Sequence, residues 1–331
     1  MILAGDIGGT KTHLALFEEG GSARRPRLDR KLPSREFPSL IEAARSFLRD
    51  APEPPTRAVF GIAGPVVDNR CEATNLPWHV DGDKVGAALG GIEVALMNDL
   101  ETTAHGLELL GPRDLETLNP GTARPGNRAL IAAGTGLGEA FLLGGGRRWR
   151  PSASEGGHSD FAPRNPLEDE LNLWLRAKHG RVSYERILSG RGLAEVYRFL
   201  AATRRGDEPE AFARAFAGAE DPAAMVTAAA LDGSCERARL AAETFLGVYG
   251  AEAGNLALKF FAVGGVFVGG GIAPKMLPLM RDGGFARAFC DKGRLSALVR
   301  DIPMSVVLDA QTALWGAAAV ALATPAHKEP A

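Results

Sequence analysis

Asp6-Ile7-Gly8-Gly9-Thr10-Lys11-Thr12 gather a carboxylate, two glycines, two hydroxyls and a cation into one short stretch. An apolar run, Ile2-Leu3-Ala4, leads in, and another, Leu14-Ala15-Leu16-Phe17, leads away. The pattern predicts a tight glycine turn between two strands. Gly8 and Gly9 lack a Cβ, which permits positive φ and the close approach of a ligand. Successive N–H groups in such a turn can converge on an anion. With Thr10, Lys11 and the Asp6 carboxylate beside them, they suit a nucleotide's phosphates and the accompanying Mg²⁺. A plain hairpin, glycine-rich because turns are, fits the same residues.

The chain echoes this plan. Leu130-Ile131-Ala132-Ala133 runs into Gly134-Thr135-Gly136-Leu137-Gly138, and Ala140-Phe141-Leu142-Leu143 runs out to Gly144-Gly145-Gly146. Two such turns, one opening each half, imply a duplicated βββα-type lobe with a ligand between the halves; the alternative is a chance likeness of two glycine-rich hairpins. A third turn, Gly269-Gly270-Gly271, follows the strand Gly264-Gly265-Val266-Phe267-Val268 and precedes a helix begun by Pro274. It has no side chains to obstruct a purine or its ribose. No Gly-x-x-x-x-Gly-Lys-Ser/Thr and no Gly-x-Gly-x-x-Gly occurs, which argues against a P-loop, a dinucleotide-binding Rossmann unit and the eukaryotic protein-kinase loop.

These turns need strands and helices to hold them. Periodicity predicts helices over 40–49, 85–89 and the stretch from Asp99 to Leu110, then over 168–178, 183–189, 192–202, 209–217 and 236–262, with a last one over 310–323. Strands are predicted at 58–65, 92–97 and 305–308, and the alternation argues for α/β architecture. At 331 residues the chain is too long for one ordinary core, so two lobes are expected. Its 45% hydrophobic and 24% charged composition is that of a globular domain. A net charge of −2 offers no field for nucleic acid or an anionic membrane. Cys71, Cys235 and Cys290 are scattered, without zinc spacing, and read as reduced structural thiols. No signal peptide precedes the first strand and no apolar run reaches a membrane span, so a cytoplasmic location is expected.

The three turns, in this order, resemble the sugar-kinase branch of the actin-like ATPase superfamily. More closely, the chain resembles the bacterial glucokinase family from Ile2 to about Leu322. Its most specific pieces are Asn98-Asp99-Leu100-Glu101, the run Ser154 to Phe161, and Ser183-Tyr184-Glu185-Arg186-Ile187-Leu188-Ser189-Gly190-Arg191-Gly192-Leu193. The resemblance implies a two-lobed actin-like ATPase (ribonuclease H-like) α/β fold with a cleft between the lobes. One lobe would span 1–111, completed by 301–323, and the other 112–300. It also implies a homodimer and, given the cysteines, the branch without a Cys/His zinc site. Two positions depart from the family pattern: Glu139, where a small apolar residue is expected, and Ala132-Ala133, where Gly-Pro or similar is common.

The implied reaction transfers phosphate from ATP to the 6-hydroxyl of D-glucose, the first step of glycolysis. A hexose's hydroxyls each donate and accept, and carboxylates and amides match pairs of them. By resemblance, Asn98, Asp99, Glu155, His158 and Glu185 surround the sugar, with backbone near Gly136 closing one side. Asp99 is the implied base. Asp6, through water, is the implied Mg²⁺ carboxylate. Gly8, Gly9, Thr10, Lys11 and Thr135 would meet the phosphates, and Gly270 and Gly271 the adenosine. From residue type alone each has another reading: Asn98 and Asp99 as a helix N-cap, Glu155 and His158 as polar loop residues, Glu185 as a first-turn acid behind a Ser183 cap. Three other functions remain in play: a kinase of the same fold for another hexose or an N-acetylhexosamine, a non-catalytic actin-like scaffold, and a sugar sensor. A sensing repressor would need a helix-turn-helix ahead of the first loop, which begins at Asp6.

Overall fold

The computed structural model describes residues 1–145 and 149–324; Gly146 of the glycine triplet and the tail past Thr324 lie outside the described residues. The chain divides into two units, Met1–Arg113 with Asp309–Ala331, and Asp114–Leu308.

The first unit holds β1 (Ile2–Ile7), β2 (Lys11–Phe17), β3 (Leu28–Pro33), α1 (Leu40–Leu48) and β4 (Arg57–Ile62). A small antiparallel sheet follows, β5 (Val66–Val67), β6 (Arg70–Glu72) and β7 (His79–Asp81), then α2 (Gly82–Ala88), β8 (Glu93–Asn98) and α3 (Asp99–Gly106). The main sheet has the order β3-β2-β1-β4-β8, with β1, β4 and β8 parallel and the first hairpins antiparallel. Its central strands are buried on both faces, so they read as apolar runs. Period-two alternation sends Leu3, Ile7, Leu14, Leu16, Phe60 and Ile62 to one core, and Ile2, Ala4, Ala15, Phe17 and Val59 to the other.

The second unit opens with β9 (Leu115–Asn119), β10 (Arg128–Ala133), β11 (Leu137–Gly144) and β12 (Trp149–Ser154). Five helices follow: α4 (Pro166–His179), α5 (Gly190–Ala202), α6 (Glu210–Ala217), α7 (Pro222–Asp232) and α8 (Glu236–Lys259). Then come β13 (Val266–Gly269), α9 (Ala273–Arg281), α10 (Gly284–Cys290), α11 (Ser296–Arg300) and β14 (Met304–Val307), while α12 (Thr312–Ala323) belongs to the first unit. The sheet order is β12-β11-β10-β13-β14-β9. Antiparallel pairing of β10 with β11 and of β11 with β12, and parallel pairing of β10 with β13 and of β13 with β14, repeat the first unit strand for strand. The echo read from the two glycine turns is therefore a repeat of topology, with β9 added at one edge.

Two readings are adjusted. The return to the first unit begins at Asp309, not near 301, because β14 pairs with β13 and β9 inside the second unit's sheet. The helix expected over 183–189 is only a single 3₁₀ turn, Tyr184–Arg186. Ser189 takes up an extended conformation there and caps α5, its Oγ accepting from the Gly192 N–H at 3.0 Å.

Candidate functional site

In the first unit the sequence-marked residues collect at the carboxyl ends of three parallel strands, the usual ligand side of such a sheet. Asp6 and Ile7 end β1, and Ile62 ends β4 in register with Asn98 at the end of β8. The turn after β1 is closed by a Gly8 N–H to Lys11 carbonyl bond of 3.0 Å. Ser34 buttresses it from beneath: its Oγ donates to the Gly8 carbonyl at 2.7 Å and meets Thr12 Oγ1 at 2.9 Å. Thr10 and Lys11 face solvent. Neither Gly8 nor Gly9 has positive φ, so the conformational reason given for them does not hold. At Gly9 the reason is space, because a Cβ would run into Asn75.

Asn98 does what its cap reading requires. Its Oδ1 accepts from the Leu100 N–H at 2.9 Å, and Glu101 bonds back to the Asn98 backbone, which completes a capping box. Its Nδ2 donates to the Gly64 carbonyl at 3.1 Å and ties the end of β8 to the segment after β4. Asp99 is the first residue of α3, its Oδ1 accepting from Leu100 N–H at 2.9 Å. Thr102 and Thr103 donate their hydroxyls back to the Asp99 carbonyl. Glycine lets α3 sit tightly: a Cβ on Gly61 would meet Thr102, one on Gly106 would meet Thr312, and one on Gly316 would meet the Thr102 carbonyl. Burial, with the neighbouring Asp99 charge adding to it, pushes the Asp6 carboxyl up to about 7. A positive charge beside such a desolvated, paired carboxyl would favour its ionised form, so the Asp6 position fits a place next to a metal ion.

In the second unit the turn after β10 is closed by Gly134 N–H to the Gly136 carbonyl at 2.8 Å. The Gly190 N–H, at the start of α5, donates to the Gly134 carbonyl at 2.9 Å. Glu185 Oε2 accepts from the Leu137 N–H at 3.0 Å, and a Cβ on Gly136 would lie 2.5 Å from that oxygen. Gly136 and Glu185 are thus directly adjoining. Ser183 makes no side-chain cap to the 184–186 turn, so the cap reading of Glu185's neighbour fails. The 3₁₀ turn Gly156–His158 carries Glu155 and His158, with His158 Nε2 3.9 Å from Glu155 Oε2 and both side chains exposed. It is bound to the 184–186 turn through the Tyr184 N–H to Ser159 carbonyl bond of 3.0 Å and an Asp160–Ser183 bridge. Gly157 packs against the Leu137 carbonyl, where a Cβ would overlap it. Gly136, Glu155, His158 and Glu185 therefore form one group.

Thr135 stands exposed at the mouth of a cavity of about 710 Å³ that also borders Arg191, Arg198, Asp221, Gly271 and Lys275. Gly270 has φ of 80°, and a Cβ there would overlap the Ala133 carbonyl, which also accepts from Ile272 N–H at 3.3 Å. The turn thus needs glycine on both counts.

The sequence reading missed Tyr249. Its buried hydroxyl accepts the Ala133 N–H at 3.0 Å and stands 3.3 Å from the Gly269 carbonyl, joining the second and third glycine turns. Glu252 was also missed, although a lone acid in the apolar run from Phe245 to Leu258 was a visible signal. Among the described residues, no group of three His, Cys, Asp or Glu side chains is arranged for a metal ion, and no helix is long and apolar enough to cross a membrane.

Comparison with known proteins follows the same lines. A family model described as Glucokinase matches residues 3–324. The glucokinase of Synechocystis sp. is 43% identical over 344 residues, covering 96% of this chain and 97% of that protein. A glucokinase crystal structure from an Antarctic psychrotroph superposes with a TM-score of 0.81 at 30% identity, covering 98% of this chain and 99% of that one. The glucokinase of Balamuthia mandrillaris, solved in complex with glucose, has a TM-score of 0.81 at 22% identity over 97% of this chain and 93% of its own, a likeness of fold.

Proposed function

The chain belongs to the glucokinase family, and from that premise we propose that it transfers the γ-phosphoryl group of ATP to the 6-hydroxyl of D-glucose. The observation that carries this reading is the strand-end pair in the first unit. Asn98 is locked by its cap and by Gly64, and Asp99 stands at the N-terminus of α3 beside the desolvated Asp6 carboxyl.

In this reading Asp99 accepts a hydrogen bond from the 6-hydroxyl and aims its oxygen for in-line attack. A free carboxylate, with a pKa of about 3.9, is far too weak a base to strip an alcohol early. The proton therefore moves late, after most of the P–O bond to ADP has broken in a loose transition state. Catalysis then rests on orientation and charge stabilisation. Glu155, His158 and Glu185 hold the remaining hydroxyls, with Asn98 offering what hydrogen-bonding capacity its cap leaves. The backbone of Gly8 and Gly9, with Thr10, Lys11 and Thr135, meets the phosphates, and the cavity beside Gly271 takes the adenosine. Mg²⁺ bound with the nucleotide supplies neutralisation of phosphate charge, and Asp6 is the residue that would hold it, through water. The reading includes a cytoplasmic homodimer without zinc, serving glycolysis.

The test is a steady-state assay with ATP and Mg²⁺ in which ADP release is coupled to a dye, run against glucose, mannose, fructose and N-acetylglucosamine. Glucose should give the highest kcat/KM. A stronger response to another hexose would overturn the substrate, and no response to any sugar would overturn the kinase reading.

A further inference from the structure

Glu139, just after the second glycine turn, has no part in the reaction as drawn. It lies on β11 opposite Ser154 of β12, and only 2% of its surface is exposed. Its Oε1 is buried without a hydrogen-bond partner. Two routes run from it to the 156–158 turn. Its carbonyl accepts from Ser154 Oγ at 3.1 Å, the same Oγ accepts the Gly156 N–H at 3.2 Å, and its Oε2 fills the space where a Cβ of Gly156 would stand. From α8 it is faced by Glu252, which is fully buried, with Lys259 and Tyr249 nearby. Both Glu252 oxygens are engaged, Oε1 by Lys259 Nζ at 2.8 Å and Oε2 by Asn255 Nδ2 at 2.8 Å. Asn255 also meets the hydroxyl of Tyr184, the residue before Glu185, at 3.2 Å. Glu155 and His158 stand on the exposed side of the turn.

We propose that Glu139 is a positioning residue of the sugar-facing group: wedged between the Gly156 backbone and the Glu252 carboxylate, its carboxyl sets where Glu155 and His158 stand. The proposal rests on the reading of those two residues as sugar ligands. Two buried carboxyls share one cation, Lys259, so only one of them carries charge without strain. Lys259 and Asn255 bind Glu252, which leaves the proton with Glu139. Burial first, and the Glu252 charge second, push Glu139 up to about 8. Below that pH the uncharged carboxyl is tolerated under the turn. Above it a second buried charge must be relieved by drawing in water, and the turn above is what can give way. Sugar affinity therefore declines in alkali while the phosphate-binding residues are untouched.

The experiment measures KM for glucose, KM for ATP and kcat of the full-length protein from about pH 7 to about pH 9.5. In the natural chain KM for glucose should rise at least about fivefold through an inflection near 8, with KM for ATP changing less than about twofold. Glu139→Gln keeps the shape and cannot ionise, so its KM for glucose should be flat with pH. An inflection that persists unchanged in Glu139→Gln, or a flat profile in the natural chain, overturns the proposal. Gly156→Ala reads the contact independently of folding differences in Glu139→Gln. It should raise KM for glucose in the natural chain and do so less when Glu139→Ala has cleared the space, and equal effects in both backgrounds overturn the contact. Glu155→Ala separates the two levels: if it leaves KM for glucose unchanged, the sugar-ligand reading has failed; if it raises KM while Glu139→Gln leaves the pH profile of that KM unaltered, only the positioning role has.

Discussion

Removing one oxygen, in Tyr249→Phe, tests how the second glycine turn is held. The ring sits fully buried, edge-on to Phe245 with centroids 5.9 Å apart and to Phe285 at 5.4 Å. Phenylalanine keeps those contacts and opens no large cavity. What disappears is the acceptor of the Ala133 N–H, 3.0 Å away, at the point where β10 outruns its parallel partner β13. A buried donor left without a partner costs about 1–3 kcal/mol, and urea denaturation should show a loss of that size. The same residue leads into Gly134, and its carbonyl receives Ile272 N–H from the third turn, so KM for ATP should rise several-fold while KM for glucose moves less. Ala133→Pro deletes the donor itself. In that background the Tyr249→Phe loss should shrink, because no orphan remains. A loss below about 0.5 kcal/mol, or full additivity of the two substitutions, would refute the reasoning.

Asp99→Asn should lower kcat by about 10²–10⁴-fold with the melting temperature retained; near-normal turnover removes Asp99 from the base role. Gly136→Ala places a Cβ 2.5 Å from Glu185 Oε2, so the carboxylate must swing off the Leu137 N–H; KM for glucose should rise about tenfold with a smaller change for ATP, and an unchanged KM would detach Glu185 from the sugar. The stability of the Glu139→Gln variant should gain on the natural protein as pH rises. The folded-state pKa of Glu139 is raised from 4.5 to about 8, so the folded state holds the extra proton in that window and its stability falls as pH climbs through it. The difference between the two melting curves should widen between those values by at most about 1.4 kcal/mol per pH unit and then level off; a constant difference across the window counts against the protonated carboxyl.

How far the sequence went depends on where each signal lay. Short glycine turns between apolar runs were readable because a hairpin is local, and the two of them foretold a repeated topology. The edges were not readable. β3, with a partly exposed LDRKLP pattern, and β12, with WRPSAS, lack the apolar alternation of an inner strand. The short β5, β6 and β7 carry too few residues for any period. α7 was missed although Asp221 caps it, Pro222 starts it and Gly233 ends it at φ of 74°, because its run of alanines gives no contrast between faces. Within the site, residues in turns could be singled out by type and spacing. Tyr249 and Glu252 could not be placed, since their partners Ala133 and Tyr184 lie far away in sequence and only the packing of α8 against β10 and against the 184–186 turn brings them together.

Asn98 shows why the bland and the functional readings of a polar residue need not compete. The cap accounts for one lone pair of Oδ1, and the bond to Gly64 accounts for one N–H. An amide has two acceptor sites and two donor hydrogens, so half of its capacity is spent on the fold. That expenditure is what makes the other half useful. A side chain held at both ends has no rotamer entropy left to lose when a hydroxyl arrives, whereas a free surface asparagine would lose about 1 kcal/mol or more. The same logic applies to Glu185, pinned by Leu137 N–H through one oxygen, and it is absent at Glu155 and His158, which are exposed and meet each other only at 3.9 Å. Those two rely on the backbone of the turn beneath them. Folding therefore bears the cost of ordering the Asn98 and Glu185 side chains, whatever they meet. In the proposed reading, Glu155 and His158 depend for their placement on the packing of the turn on Glu139.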